Sequence, residues 1–229
     1  MNVINGKESE EFWKHISSKN MLPNKMKNNK IDEFSQWYQR IINRIVDMGN
    51  NWETNFGIKH CCQPGCNACC VHPIEVYKIE VLIIIDYLKK NKLEYLLDNV
   101  NSIVEEIISK LPNSPLDTNN KENIRKYKMD YIHLSIPCVF LKDGKCAIYP
   151  VRPINCAIYY SYGSPEKCMK DGEISELNYL LPLEPWSFKQ MYNFTLLNRN
   201  KFKDISSLFK IGTLPMMIKE CMQENSNNI

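Results

Sequence analysis

Five cysteines fall within ten residues in CCQPGCNACC, at Cys61, Cys62, Cys66, Cys69 and Cys70, and four more follow at Cys138, Cys146, Cys156 and Cys168. Thiolates are good ligands for soft and borderline metals, and a short loop can bring several sulfurs to one centre. A single cysteine is most often a small buried hydrophobe. That is the reading for Cys221, which stands alone near the C-terminal end. Five thiols in ten residues call for another explanation. The pattern points to a metal centre with Cys62, Cys66, Cys69, Cys70, Cys138, Cys146, Cys156 and Cys168 as candidate ligands. Pro64 and Gly65 suit a tight backbone wrap around it. His60 and His72 flank the loop and could ligate metal or hydrogen-bond sulfur, although a partly exposed loop histidine is the plainer reading of each.

Spacing bears on which metal. Structural zinc usually takes two well-separated Cys-x-x-Cys pairs, or pairs of Cys and His. Only Cys66 and Cys69 form such a pair, and the downstream gaps are seven, nine and eleven residues. Iron–sulfur clusters accept more varied spacing because their ligands address different corners of a larger object. Spacing alone therefore favours iron–sulfur over zinc. Eight cysteines exceed what one four-ligand site uses, so two neighbouring centres stay open. Cys62-x3-Cys66-x2-Cys69 also has the spacing of radical S-adenosylmethionine enzymes, but those need alternating strands and helices, and this sequence reads as long helices.

The elements that must position these thiols are mainly helical. Apolar residues recur at three- and four-residue spacing from Ile31 to Met48, which predicts an amphipathic helix stopped by Gly49. Further helices are expected over about 77–90, 93–111, 121–131, 185–197 and 204–222. Val139–Leu141 and Lys145–Tyr149 read as strands of a hairpin turning at Lys142-Asp143-Gly144. The expectation is a mainly α fold: a helical domain with a small β-hairpin and a cysteine-rich metal-binding loop. Residues 1–30 read as an N-terminal helix and a basic, solvated linker. Residues 31–229 read as a single domain, with the metal-binding core at 60–170.

The totals exclude several classes. A net charge of +3, spread along 229 residues, gives no case for nucleic acid or a membrane surface. The N-terminal stretch lacks a signal-peptide core, and the longest apolar run ends at Asp86, so a cytoplasmic protein is expected. In that reducing setting cysteines suggest metal or redox chemistry rather than disulfides. Gly-rich phosphate loops and Ser-His-Asp sets do not stand out.

The motif CCQPGCNACC with Pro73 and Glu80, followed by IPCVFLKDGKCAIYPVRPINC and Cys168, closely resembles the YkgJ-like cysteine-cluster family. That family is named for a CxxCxxCC motif and described as chelating zinc or iron. The resemblance covers roughly 60–170. Its more specific half is Cys138, Phe140, Leu141, Gly144, Cys146, Tyr149, Arg152, Pro153 and Cys156. The first gap here is three residues rather than two, and Ala157 stands where the family often has arginine. The resemblance extends to flagellin lysine N-methylases, which implies an iron–sulfur cluster and opens an enzymatic reading.

Arg152 could offset the negative charge of a thiolate cluster and donate to its sulfurs. Tyr149, beside it in sequence, is the second candidate for touching the cofactor. Tyr159, Tyr160 and Tyr162 read as a shield against water. Glu80, near a helix start, suits the helix dipole. The function expected is a metal-binding protein holding an iron–sulfur cluster, 4Fe-4S by preference, or zinc, in a structural, sensing or metal-handling role. The alternative is an iron–sulfur enzyme modifying a protein or peptide substrate, as lysine N-methyltransferases do. No catalytic residue is assigned.

Overall fold

The computed structural model describes residues 6–19, 21–23, 25–27, 31–62, 65–111, 120–162, 180 and 182–226. Pro64 and Cys168 lie outside the described residues. The periodic segment beginning at Ile31 forms a long helix, α2 (Ile31–Phe56), preceded by α1 (Gly6–Ser17). Gly49 does not stop α2. A Cβ at Gly49 would meet Leu180 Cδ1 at 3.2 Å, so the glycine serves close packing there. Burial of Met48 and Trp52 on either side outweighs the roughly 1 kcal/mol that a mid-helix glycine costs against alanine. The extra turns carry Glu53, and they let Trp52 stack on Trp13 of α1 at 5.1 Å.

Helices α3 (Lys78–Lys90), α4 (Val100–Lys110) and α5 (Lys121–His133) follow. The helix expected over 93–111 is divided. A 3-10 turn at Glu94–Leu97 precedes α4, and between them stand Asp98 and Asn99, short polar residues that favour turns over helix interiors. Asn120 caps α5 by accepting from the N–H groups of Glu122 and Asn123. After a four-residue helix, α6 (Ile154–Ala157), come α7 (Leu183–Leu197), α8 (Ile205–Leu208) and α9 (Leu214–Ser226). Part of the stretch read as a solvated linker docks on α7 and its end. Met21 N–H donates to Gln190 Oε1 at 3.0 Å, and Met26 N–H to Asn198 Oδ1 at 2.7 Å, with Met26 buried.

Among the described residues the strands form two two-stranded antiparallel sheets. In the expected hairpin, β2 (Leu141–Lys142) pairs with β3 (Lys145–Cys146). Its turn narrows to Asp143-Gly144, with φ of 49° and 72°, the left-handed pair that a tight type I′ turn needs. The other sheet joins β1 (Glu75–Tyr77) to β4 (Ile211–Thr213) and interrupts the helix expected over 204–222. Three-residue strands are too short to show alternation, so nothing in the pattern announced them. This sheet fixes two helix starts at once: Lys78 N–H donates to the Lys210 carbonyl at 2.9 Å, and Leu214 N–H to the Ile74 carbonyl at 2.8 Å. Among the described residues no helix is long and apolar enough to cross a membrane. The fold is mainly α.

One buried carboxylate ties the helices to the cysteine-bearing segment. Glu80 Oε2 accepts from Tyr77 N–H at 2.8 Å, closing the first turn of α3. Its Oε1 accepts from Ile154 N–H at the start of α6 and from the Tyr38 hydroxyl of α2, both at 2.8 Å. The Tyr38 hydroxyl also lies 2.9 Å from the Arg152 carbonyl. Burial pushes the Glu80 carboxyl above its ordinary range, against the three hydrogen bonds that favour its charge. Changing Glu80 to Gln leaves at least one buried N–H or O–H without an acceptor. It should cost about 1–3 kcal/mol in denaturant unfolding at neutral pH. A variant as stable as the wild type would show that this network does not carry the junction.

Candidate metal centre

The first cysteine loop wraps tightly because Gly65 takes φ +91°, a conformation that other residues rarely adopt. A 3-10 turn at Ala68–Val71 then presents Cys69 and Cys70, closed by Cys70 N–H donating to the Asn67 carbonyl at 2.9 Å. Two backbone bonds stitch this loop to the second cysteine segment. Cys138 N–H donates to the Cys70 carbonyl at 2.7 Å, and Cys61 N–H to the Ser161 carbonyl at 2.8 Å. In the second segment, Leu141 pairs with Cys146 across the hairpin, and α6 carries Cys156. Asn155 Nδ2 donates to the Glu75 carbonyl at 2.8 Å and holds α6 against β1.

The result is one cavity of about 590 Å³. Cys62, Cys66, Cys69 and Cys70 line it from the loop, and Cys138, Cys146 and Cys156 from the second segment. These are the candidate ligands that fall among the described residues. Cys61 and Cys221 do not line it. Cys66 is exposed, and the other six are half-buried. Among the described residues no three Cys, His, Asp or Glu side chains are placed to hold a single metal ion.

Electrostatics ties the thiols together. Burial first, then the neighbouring sulfurs of Cys138, Cys146 and Cys70, hold the Cys156 thiol well above its ordinary range. Burial likewise pushes Cys138 up to about 12 and raises Cys146. Cys69 and Cys70 share a hydrogen bond, which brings Cys70 down to about 7 and sends Cys69 up. Three backbone N–H groups are aimed at sulfur, the arrangement that thiolate ligands receive. Phe140 N–H points at Cys138, Ile148 N–H at Cys146, and Ser161 N–H at Cys62 Sγ at 3.5 Å.

Arg152 is buried and lines the cavity, and its charge lowers the Cys146 thiol pKa. Its guanidinium lies 3.9 Å over the Tyr149 ring, and one nitrogen donates to the Tyr149 carbonyl at 2.9 Å. Tyr149 is largely exposed at the rim, while Tyr159 and Tyr160 form part of the wall. His72 meets the Tyr159 hydroxyl through Nδ1 at 3.2 Å. His60 meets Glu53, a residue that the sequence reading passed over because the helix bearing it was expected to end before it. An i+7 separation across a helix end carries no periodic signal that could have found the pair.

The donor set fits a thiophilic metal: seven thiols, N–H groups aimed at sulfur, and one buried cation to offset thiolate charge. No curated protein and no solved structure matches the chain. The sequence model of the CxxCxxCC family, described as "Putative zinc- or iron-chelating domain", matches residues 60–179, a span that takes in the loop and all the downstream candidate cysteines. The match covers more than half of the 229 residues, and the chain belongs to the CxxCxxCC family of zinc- or iron-chelating domains.

Proposed function

We propose that this protein binds an iron–sulfur cluster of the 4Fe-4S kind in the cavity between residues 62–70 and 138–156. The ligands are drawn from Cys62, Cys66, Cys69, Cys70, Cys138, Cys146 and Cys156, with Cys168 as a further candidate. The observation that carries this reading is that seven thiols, more than one four-ligand ion takes, line a single cavity of about 590 Å³. Zinc draws its sulfurs to about 2.3 Å, whereas a cluster accepts them at separate corners of a larger body. Arg152 offsets the cluster's negative charge, and Tyr149 covers that guanidinium at the rim. The role is structural, sensing or metal handling, and the exposed Cys66 gives metal a way in.

A second reading, an iron–sulfur enzyme that modifies a protein or peptide in the manner of lysine N-methyltransferases, has one observation in its favour. The cavity is of the size that accommodates small organic ligands, and its lining includes the apolar Ile74, Ile103, Ile136 and Leu214. Titration calorimetry with S-adenosylmethionine tests it. The absence of a binding heat with cluster-loaded protein would remove it.

Anaerobic purification with iron, sulfide and zinc analysis should give a brown protein with matched iron and sulfide. Colourless protein with stoichiometric zinc would overturn the cluster reading. Cys146→Ser should lose most of the metal, and Cys221→Ser should keep it. Equal retention in both would sink the ligand assignment.

Metal binding should also depend steeply on pH. Burial keeps the Cys138, Cys146 and Cys156 thiols protonated well above neutrality in the metal-free protein. Each ligand thiol must therefore release its proton, and apparent affinity should rise with pH by about tenfold per unit for every proton displaced. A competition titration between pH 6 and pH 8 that shows a flat affinity would contradict neutral thiols in the free site.

A further inference from the structure

The cavity has an imidazole at its edge that is held as metal-ligating histidines are held. His60 Nδ1 is in close contact with Glu53 Oε1, and the His60 backbone N–H also points at that oxygen, at 3.3 Å. The Tyr162 hydroxyl lies close enough to the Glu53 carboxylate for that charge, after burial, to raise its pKa. The His60 ring packs edge-on against Tyr160 at 4.6 Å and against Tyr162 at 6.4 Å. Both Glu53 and His60 are largely buried, and His60 lines the thiol cavity two residues before Cys62.

A carboxylate only accepts, so the nitrogen facing it carries the proton. With Nδ1–H committed to Glu53, the lone pair of the neutral ring sits on Nε2. That nitrogen is at the far edge of the ring from Glu53. An imidazole whose Nδ1–H is fixed by a carboxylate is the arrangement that raises ligand basicity and sets the tautomer for metal binding through Nε2. His72 Nδ1 faces the Tyr159 phenol.

We infer that His60 is a nitrogen ligand of the metal centre, oriented by the Glu53 carboxylate, so that the centre has mixed sulfur and nitrogen ligation. The inference rests on the metal-binding reading above, and it adds a ligand that the cysteine motif does not contain. Glu53 is a positioning residue. It touches the ring and not the metal.

The test uses the full chain, loaded anaerobically with iron and sulfide and labelled with ¹⁵N-histidine. Pulsed electron paramagnetic resonance of the reduced protein should show a strongly coupled nitrogen. That coupling should vanish in His60→Ala and persist in His72→Ala. Glu53→Gln should keep the coupling but lower metal affinity by about 10–100-fold, as loss of a supporting carboxylate does elsewhere. Full iron and sulfide content with no strong nitrogen coupling would overturn the His60 assignment and leave the cluster reading intact. If the protein takes up zinc instead of iron and sulfide, the cluster reading falls, and the same variants are read with Co²⁺ in place of zinc. There the visible bands should shift in His60→Ala, and an unchanged spectrum overturns the inference.

Discussion

The junction at Glu80 is the point on which the site depends. A carboxylate buried to 2 % exposure is expensive unless its oxygens are occupied. Here three donors occupy them, one each from α2, the entry to α3 and the start of α6. The same Tyr38 hydroxyl that meets Glu80 also reaches the Arg152 carbonyl. The stretch 152–156, which bears the buried arginine and one of the thiols, is therefore held from behind by the helical core. Desolvation raises the cost of leaving any of these groups unpaired, so the network acts as a set. Its geometry is inherited by everything that lines the cavity on that side.

On the cavity side the balance of charge is reversed. Sulfurs close enough to raise one another's pKa face a single buried guanidinium. Without a cation the stable state is mostly neutral thiols, with the Cys69–Cys70 pair losing its first proton near neutrality. A bound metal inverts this logic, because it turns the crowding of sulfurs from a repulsion into a ligand field. The N–H groups aimed at Cys62, Cys138 and Cys146 are consistent with that inversion: they are worth more to a thiolate than to a thiol.

The sequence was informative where chemistry and period coincide. The helix at 31, the Asp143-Gly144 turn and the family of the cysteine segments were all legible, because each rests on a local pattern several residues long. Gly49 misled because its role is a tertiary contact with Leu180, which no local rule contains. The strand at Ile211–Thr213 was hidden for a related reason. It exists through pairing with a segment far away in sequence, and a Cβ at Gly212 would come within 2.8 Å of Met217 Cε. Glu53 and Glu80 show the same limit in the site. The type of residue was visible, but the partner lies across a helix end for Glu53, and 42 and 74 residues away for Glu80, and only folding brings them together.

Metal and fold must therefore be coupled, and the size of the coupling follows from elementary magnitudes. The loop at 61–70 and the segment at 138–161 are joined directly by a few hydrogen bonds, such as those at Cys70 and Ser161. Each such bond contributes about 0.5–1.5 kcal/mol net. Zinc binding to small finger peptides is worth about 10–16 kcal/mol, as much as the roughly 5–15 kcal/mol that holds a whole domain folded. A centre that takes ligands from both segments would exceed the protein's own links between them several times over. The helical core, anchored through Glu80, can set the second segment in place by itself. The first loop, whose backbone bonds run to that second segment, is the part whose order the metal would dominate.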